Sequence, residues 1–231
     1  MKFRLFFFPL LLVSFLAAQT ATEVPITAEP SHHLVLENDQ VRVFKVEVAP
    51  QASTLMHRHD HDYIYVTMGD THLSNQVEGK ASAEVKLSDG DTRFTPGNFA
   101  HIVKDLSDQP FRNITIELVQ DEKLRLAQSH WPEDSGEKTF PGGRGKILFV
   151  KDGVRVSEFD LEPGAVVPSH HHDGPHLLVA ISDLDLRSDV DGKGPTAGKF
   201  TAGAVKWVAG GYTHTLTNVG KSPARFVILE F

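Results

Sequence analysis

The sequence predicts an all-β protein built from two copies of one small β domain, and three observations support this class. Short segments alternate apolar and polar residues or are rich in β-branched and aromatic residues, such as VRVFKVEVA from Val41 and HLLVAIS from His176. Turn-forming residues recur roughly every 8–12 residues, a spacing typical of β-sandwiches and small barrels. The third observation is an internal repeat that covers most of the chain.

The repeat aligns residues 34–118, the first unit, with residues 147–231, the second unit. The offset is a constant 113 residues and no gap is needed. VRVFKVEVAPQA meets VRVSEFDLEPGA, HRHD meets HHHD, and several glycines and a later histidine also coincide. Because each copy is long enough for a core of its own, the repeat indicates a duplicated domain and not a solenoid.

Residues 1–18 have the three-part layout of a secretory signal peptide. Lys2 and Arg4 supply the charged start, an apolar run follows, and two alanines end the segment. The apolar run is shorter than the roughly 20 residues that span a bilayer, although an uncleaved anchor is an alternative. The sequence therefore predicts a secreted or periplasmic protein without stable membrane insertion after cleavage. Residues 19–33, rich in Thr, Pro and Ala, are predicted to be a flexible lead-in.

Residues 119–146 are predicted to link the two units. Their first half, through about Ser129, is compatible with a short helix anchored by Leu124 and Leu126, and their second half is rich in turn residues.

The composition excludes several classes of function. The chain contains no cysteine, which rules out disulfides, thiolate nucleophiles and zinc–sulfur sites. The net charge of −7 argues against a nucleic-acid partner, since phosphates require a basic surface.

The second unit carries a cluster of histidines suited to a metal ion. His170, His172 and His176 share one face of a strand, and His214 comes from a distant strand. Neutral imidazoles are good ligands for Mn, Fe, Ni, Cu and Zn, so the predicted cofactor is a divalent transition metal. The alternative is a polar surface patch near a turn.

Two segments of the second unit resemble the sequence motifs of the cupin superfamily. GAVVPSHHHDGPH, from Gly164, matches the first motif: Gly, five residues, His-x-His, three or four residues, Glu. GAVKWVAGGYTHTLTN, from Gly203, matches the second motif: Gly, five residues, Pro-x-Gly, two residues, His, three residues, Asn. The sequence departs from the pattern where His176 replaces the glutamate and Ala209 replaces the proline.

With the duplication, this resemblance implies a bicupin: two tandem cupin barrels of the small jelly-roll type, with the metal inside. His176 in place of glutamate makes the second site similar to that of the four-histidine cupins. The resemblance also implies Tyr212 and Asn218 as residues that line the substrate site. A metal with four neutral ligands keeps its charge uncompensated, so we expect anionic ligands to bind it well.

The first unit keeps His57, His59 and His101 at the matching positions and has Tyr63 opposite His176. A three-histidine metal site is therefore predicted, with Tyr63 as ligand, hydrogen-bond donor or core residue, and Tyr65 also pointing inward. The nearby His61 and Asp62 are other candidates for the fourth position. The alternative is a duplicated site that has lost its metal.

Other histidines, including His32 and His33, have no partner in the repeat register and are predicted to be solvated.

The resemblance implies a metal-dependent oxidoreductase of dioxygenase type acting on a small organic substrate. The alternatives are a non-catalytic cupin that binds a small molecule or sugar, and a metal-assisted isomerase or lyase. A homo-oligomer is compatible with any of these.

Overall fold

The computed structural model describes residues 22–129, 131 and 136–231, so the predicted signal peptide lies outside the described residues. Strands β1 to β10 build the first unit: β1 (Val24–Pro25), β2 (His32–Glu37), β3 (Val41–Val48), β4 (His57–His59), β5 (Tyr63–Thr67), β6 (Thr71–Val77), β7 (Ala83–Leu87), β8 (Thr92–Thr95), β9 (Phe99–Asp105) and β10 (Phe111–Leu118).

Strands β11 to β20 build the second unit: β11 (Glu137–Phe140), β12 (Gly143–Lys151), β13 (Val154–Leu161), β14 (Val166–His172), β15 (His176–Ala180), β16 (Leu184–Val190), β17 (Thr196–Phe200), β18 (Val205–Val208), β19 (Tyr212–Asn218) and β20 (Ala224–Glu230). The second half of the predicted linker is therefore not a linker from Glu137 onward, because β11 and the start of β12 belong to the sheet of the second unit. A helix, α1 (Glu122–Gln128), lies between the units. No helix in the described part of the chain is long and apolar enough to span a membrane.

Each unit consists of two sheets that enclose a core. The strand orders are β1-β4-β9-β6-β7 and β2-β3-β10-β5-β8 in the first unit, and β11-β12-β13-β20-β15-β18 and β14-β19-β16-β17 in the second. Almost all neighbouring strands are antiparallel, as in a jelly roll. The expected closed barrels are not formed, because the two sheets of each unit remain separate.

The alternation in VRVFKVEV places both faces of β3 in apolar surroundings. Phe44 and Val46 point into the first unit, where they pack with Leu73 from the opposite sheet. Val41 and Val43 point the other way, into a core shared with the second unit. A strand buried on both faces explains why this segment is so rich in valine.

The shared core joins the two units through equivalent faces. Twelve of its fourteen buried residues occur in pairs separated by 113 positions: Val41 and Val154, Val43 and Val156, Ile64 and Leu177, Val66 and Val179, Ile114 and Val227, Ile116 and Leu229. The units therefore pack around an approximate two-fold relation, as the subunits of a symmetric dimer do.

Residues 24–33 are not a flexible lead-in. They form β1, a 3₁₀ turn (Ile26–Ala28) and the start of β2. Strand β1 runs parallel to β4 with Val24 beside His57, and β2 is antiparallel to β3 with His32 beside Val46.

Helix α1 begins after Asp121, whose side chain accepts hydrogen bonds from the backbone of Lys123 and Leu124. The predicted anchors Leu124 and Leu126 are 47% and 50% exposed, so that prediction is wrong. The buried side chain is that of Arg125, which donates hydrogen bonds to the backbone oxygens of Leu118 and Asp152. Tertiary hydrogen bonds, and not apolar contacts, orient this helix.

The shared core predicts that the units unfold together. Leu229→Ala removes a fully buried side chain from it and should lower the free energy of unfolding by about 2–5 kcal/mol. Urea unfolding followed by tryptophan fluorescence and circular dichroism should give one shifted transition. The control Leu126→Ala, on exposed α1, should change little, and two separate transitions in the wild-type protein would contradict the shared core.

Candidate metal centres

Three histidines of the first unit meet at their Nε2 atoms. His57 and His59 lie on β4 and point to one face, and His101 lies opposite His57 on β9. The Nε2 atom of His101 is 3.0 Å from that of His57 and 3.2 Å from that of His59. All three side chains are buried, so the predicted ligand residues are brought together in the interior.

The second unit repeats this arrangement on β14 and β19. His170 pairs with His214, and their Nε2 atoms are 3.0 Å apart. One ring nitrogen from each of His170, His172 and His214 lies within 4.8 Å of the other two. These three predicted ligands therefore converge on one point.

Hydrogen bonds behind the rings place the lone pairs at the centres. His57 Nδ1 is 3.0 Å from the carbonyl oxygen of Leu55, and His170 Nδ1 is 2.8 Å from that of Pro168. Because a carbonyl only accepts, each Nδ1 carries a proton, and a neutral ring then presents a bare Nε2. His101 Nδ1 likewise faces the amide oxygen of Asn75, so the Nε2 atoms of His57 and His101 are both bare and repel at 3.0 Å unless a cation lies between them. The residues present thus fit a divalent transition metal.

Burial keeps the rings neutral. Desolvation, assisted by neighbouring histidines, lowers the pKa of His57 to about 4, of His101 to about 3 and of His214 to about 3. Desolvation also lowers the pKa of His170. Neutral imidazole is the form that binds metal, so both sites are ready for an ion at neutral pH.

A buried carboxylate orients one ligand of the second unit. Glu230 accepts a hydrogen bond from His172 Nδ1 at 3.0 Å and from Arg155 Nε at 2.6 Å. Burial raises the pKa of this carboxyl group, but the bond from His172 and the Arg155 charge lower it overall. Such carboxylate–histidine pairs fix the ring and strengthen it as a ligand.

The first unit contains the same three residues in a looser arrangement. Glu117 Oε1 lies 3.9 Å from His59 Nδ1, and Arg42 Nη1 lies 3.4 Å from Glu117 Oε2. Burial raises the pKa of Glu117 to about 7 although Arg42 opposes this. Arg42 and Glu117 match Arg155 and Glu230 in the repeat. The repeat could therefore have indicated this carboxylate and arginine beside the ligands, whereas the histidine motifs could not.

His176, the fourth predicted ligand of the second unit, is buried next to the other three. Its ring stacks on His172 with centroids 4.0 Å apart, and its Nε2 is 3.3 Å from the Tyr212 hydroxyl. Burial raises the pKa of Tyr212 to about 12, which keeps that hydroxyl protonated and able to donate. His176 is not part of the converging triad, so its ligation remains a prediction.

Tyr63 occupies the corresponding place in the first unit. Its ring stacks on His59 with centroids 4.2 Å apart, and burial raises the pKa of its hydroxyl. Both Tyr63 and Tyr65 line the cavity beside the first triad.

Asn218 does not line the second site, and this prediction is wrong. Its side-chain nitrogen donates to the backbone oxygens of Leu161 and Ser222, and its oxygen accepts from the backbone of Gly220. The side chain is completely buried and joins strand ends.

His32, predicted to be solvated, is buried beside the first triad. Its ring centroid lies 4.7 Å from that of His57, and its Nδ1 lies 2.6 Å from Glu29 Oε2. The repeat could not reveal it, because the matching residue of the second unit is Gly145.

A glycine at the variable position of the Pro-x-Gly segment, Gly210 in the second unit and Gly97 in the first, permits a close approach of backbone segments next to each site. A Cβ atom at Gly210 would lie 2.2 Å from the carbonyl oxygen of Gly174, and one at Gly97 would lie 2.4 Å from that of His61. Only glycine therefore fits here, and the approach holds the β4–β5 and β14–β15 turns near the ligand strands.

The two sites open into cavities of different size. The first cavity has a volume of about 430 Å³, and the second about 970 Å³. The interior wall of the second is mainly apolar and includes Phe140, Phe159, Val167, Leu178, Leu186, Phe200, Leu216, Phe226 and Ile228.

Comparison with known proteins identifies the fold. No family profile and no curated protein matches the chain. A structure of oxalate decarboxylase from Bacillus subtilis at pH 4.6 is 14% identical, with a TM-score of 0.61 over 83% of this chain and 68% of that one. A second structure, concerned with the Mn(II) centres of that enzyme, is 14% identical, with a TM-score of 0.61 over 87% of this chain and 75% of that one.

The chain therefore has a two-domain cupin fold, as the resemblance in its motifs implies. Within that class it is similar in structure to the oxalate decarboxylase of Bacillus subtilis.

The lowered histidine pKa values predict how the metal-free protein responds to acid. Each ring has an ordinary pKa of 6.5 when unfolded and a lower value when folded, so the unfolded state binds more protons between these values. Stability should therefore fall as pH drops from about 6.5 towards 4. Chelator-treated protein should show a falling thermal midpoint in this window, and the His57→Gln/His101→Gln variant a shallower fall. A midpoint that rises on acidification would contradict the buried neutral rings.

The hydrogen bond from His172 to Glu230 makes the carboxylate a positioning group. Glu230→Gln keeps the volume but removes the charge, and should weaken metal binding at the second site about 10–100-fold. Competition with a chelator dye measures this change. Glu78→Gln, on an exposed side chain, is the control, and equal affinity in both variants would show that the carboxylate does not act on the metal.

Proposed function

We propose that the protein is a metal-dependent enzyme whose catalytic centre is in the second unit, where it oxidises an apolar organic molecule with dioxygen. The observation that carries this proposal is the triad of His170, His172 and His214 opening into an apolar cavity of about 970 Å³. Cavities of this volume are typical of sites for drug-sized ligands. The leader sequence adds the proposal that the enzyme acts outside the cytoplasm.

The bound metal would supply a Lewis-acid centre with positions open to a substrate oxygen and to dioxygen. Neutral histidines leave its positive charge uncompensated, which favours an anionic oxygen donor such as an enolate or phenolate. Mn is a candidate ion because the similar structures include Mn(II) centres, and Fe, Ni, Cu and Zn are candidates because imidazole suits them as a ligand.

The chain's own residues would bind and orient the substrate. Phe159 and Phe226 stack at 5.3 Å and, with Leu216, form walls that exclude water and hold an aromatic or aliphatic body. The Tyr212 hydroxyl lies at the edge of the histidine cluster and stays protonated, so it can donate a hydrogen bond to a developing oxyanion.

A decarboxylase of a small carboxylate is the second candidate, favoured by the similarity in fold to oxalate decarboxylase. The size and apolar walls of the second cavity favour oxidation of an apolar molecule over decarboxylation. A small dianion such as oxalate would leave most of the apolar wall without a contact.

Oxygen uptake tests the proposal. Protein loaded with Mn²⁺ or Fe²⁺ should consume oxygen with a member of a panel of phenols, diketones and flavonoids, and should not convert oxalate. His170→Ala/His214→Ala should abolish uptake, whereas His57→Ala/His101→Ala in the first unit should retain it. Release of CO₂ without oxygen uptake would support the decarboxylase instead, and binding without turnover would identify a ligand-binding protein.

Filling the cavity checks the substrate site separately from the metal. Leu216→Trp places a larger side chain on the strand that carries His214, and should raise KM for the best substrate about tenfold while the metal content stays unchanged. Leu55→Trp, on an exposed position of the first unit, is the control. An unchanged KM in Leu216→Trp would place the substrate elsewhere.

A further inference from the structure

We propose that the first unit binds its own metal ion with four histidines, and that the fourth ligand is His32 from the N-terminal strand β2, positioned by the buried carboxylate of Glu29. This inference rests on one part of the proposed function, namely that the histidine clusters bind metal. It is independent of catalysis in the second unit.

The N-terminal segment brings His32 to the triad. Strand β1 pairs with the ligand strand β4, placing Val24 beside His57, and β2 pairs with β3 so that His32 lies opposite Val46. The side chain of His32 is only 5% exposed. One ring nitrogen each from His32, His57 and His59 lies within 4.8 Å of the other two, a spacing that ligands of a single ion can have.

Glu29 fixes the orientation of His32. Its carboxylate is almost fully buried and accepts hydrogen bonds from the backbone of Ser31 at 2.8 Å and of Leu55 at 3.2 Å. With its position set by the backbone, Oε2 contacts His32 Nδ1 at 2.6 Å. A proton held on Nδ1 leaves Nε2 free as a ligand, which is the arrangement found behind metal-bound histidines.

One peptide segment orients two ligands at once. The N–H of Leu55 donates to Glu29, and the carbonyl of Leu55 accepts from His57 Nδ1 at 3.0 Å. The carboxylate behind His32 and the carbonyl behind His57 are thus parts of one rigid unit.

The second unit lacks this device. The residues that match Glu29 and His32 are Gly142 and Gly145. The strand register is the same in both units, because Gly145 pairs with Phe159 as His32 pairs with Val46. A Cβ at Gly145 would lie 2.7 Å from the Phe159 ring, so an aromatic side chain occupies this region. Each unit therefore has one histidine with a buried side chain beside the common triad, but in a different place: His32 in the first and His176 in the second.

The competing interpretation is that His32 and Glu29 form a structural ion pair that does not involve metal. The two interpretations differ in what happens to metal affinity and to the ligand count when His32 is replaced.

The experiment uses the full chain in a His170→Ala/His214→Ala background, which isolates the first site. Zn²⁺ affinity is measured by chelator competition and Zn²⁺ content by elemental analysis. His32→Gln should weaken binding about 100-fold and Glu29→Gln about 10–100-fold. The matched control is His33→Gln, the neighbouring exposed histidine, which should bind as the background protein does.

Loading the background protein with Cu²⁺ gives a second readout, the number of nitrogen atoms bound to the ion. Electron paramagnetic resonance should show hyperfine coupling to four nitrogens, and three in folded His32→Gln protein. Unchanged Zn²⁺ affinity in His32→Gln, or three nitrogens in the background protein, would establish the ion pair and overturn the proposal. No bound metal in the background protein would overturn it as well, while leaving the proposed function of the second unit intact.

Discussion

The interaction on which the two sites depend is the meeting of unprotonated imidazole nitrogens among largely buried side chains. Nε2 atoms only 3.0 Å apart cannot both be bare and unpartnered at low cost, and burial prevents protonation from relieving them. The surrounding groups keep the inner nitrogens unprotonated and close together. Carbonyl groups and a carboxylate occupy the outer ring nitrogens, and the antiparallel pairing of ligand strands brings the inner ones together.

The duplicated architecture places residues that are constrained by the contact between the units on one face of the strands, and residues that can diverge on the other. Strands β3, β5 and β10, with their counterparts, carry the shared core on one face and a unit's own interior on the other. Residues of the shared face remain aliphatic in both units because each packs against its equivalents. Residues of the inner face have diverged, as Tyr63 and His176 show, without disturbing the contact between the units.

The parts of the structure that the sequence predicts are those encoded by local periodicity or by the repeat. The His-x-His spacing places two rings on one face of a strand, and the repeat shows that both units share this feature. The burial of His32 could not be predicted, because it depends on the carboxylate of Glu29 three residues earlier, and the second unit has glycine at the positions that match both residues. The predictions for Asn218 and for the anchors of α1 are wrong for a related reason: the side chains of Asn218 and Arg125 donate hydrogen bonds to backbone groups distant in sequence.

The different fourth histidines lead to different access to the two centres. In the first unit, His32 and Glu29 fill the region beside the triad with tightly bonded side chains, and the remaining cavity is about 430 Å³. In the second unit, glycines take their places, and apolar side chains border a cavity of about 970 Å³. With His32 as the proposed fourth ligand, an ion in the first unit would be more enclosed and have fewer positions for a substrate, whereas the second triad lies beside a wide apolar cavity. The two proposals together assign retention of an ion to the first unit and chemistry to the second.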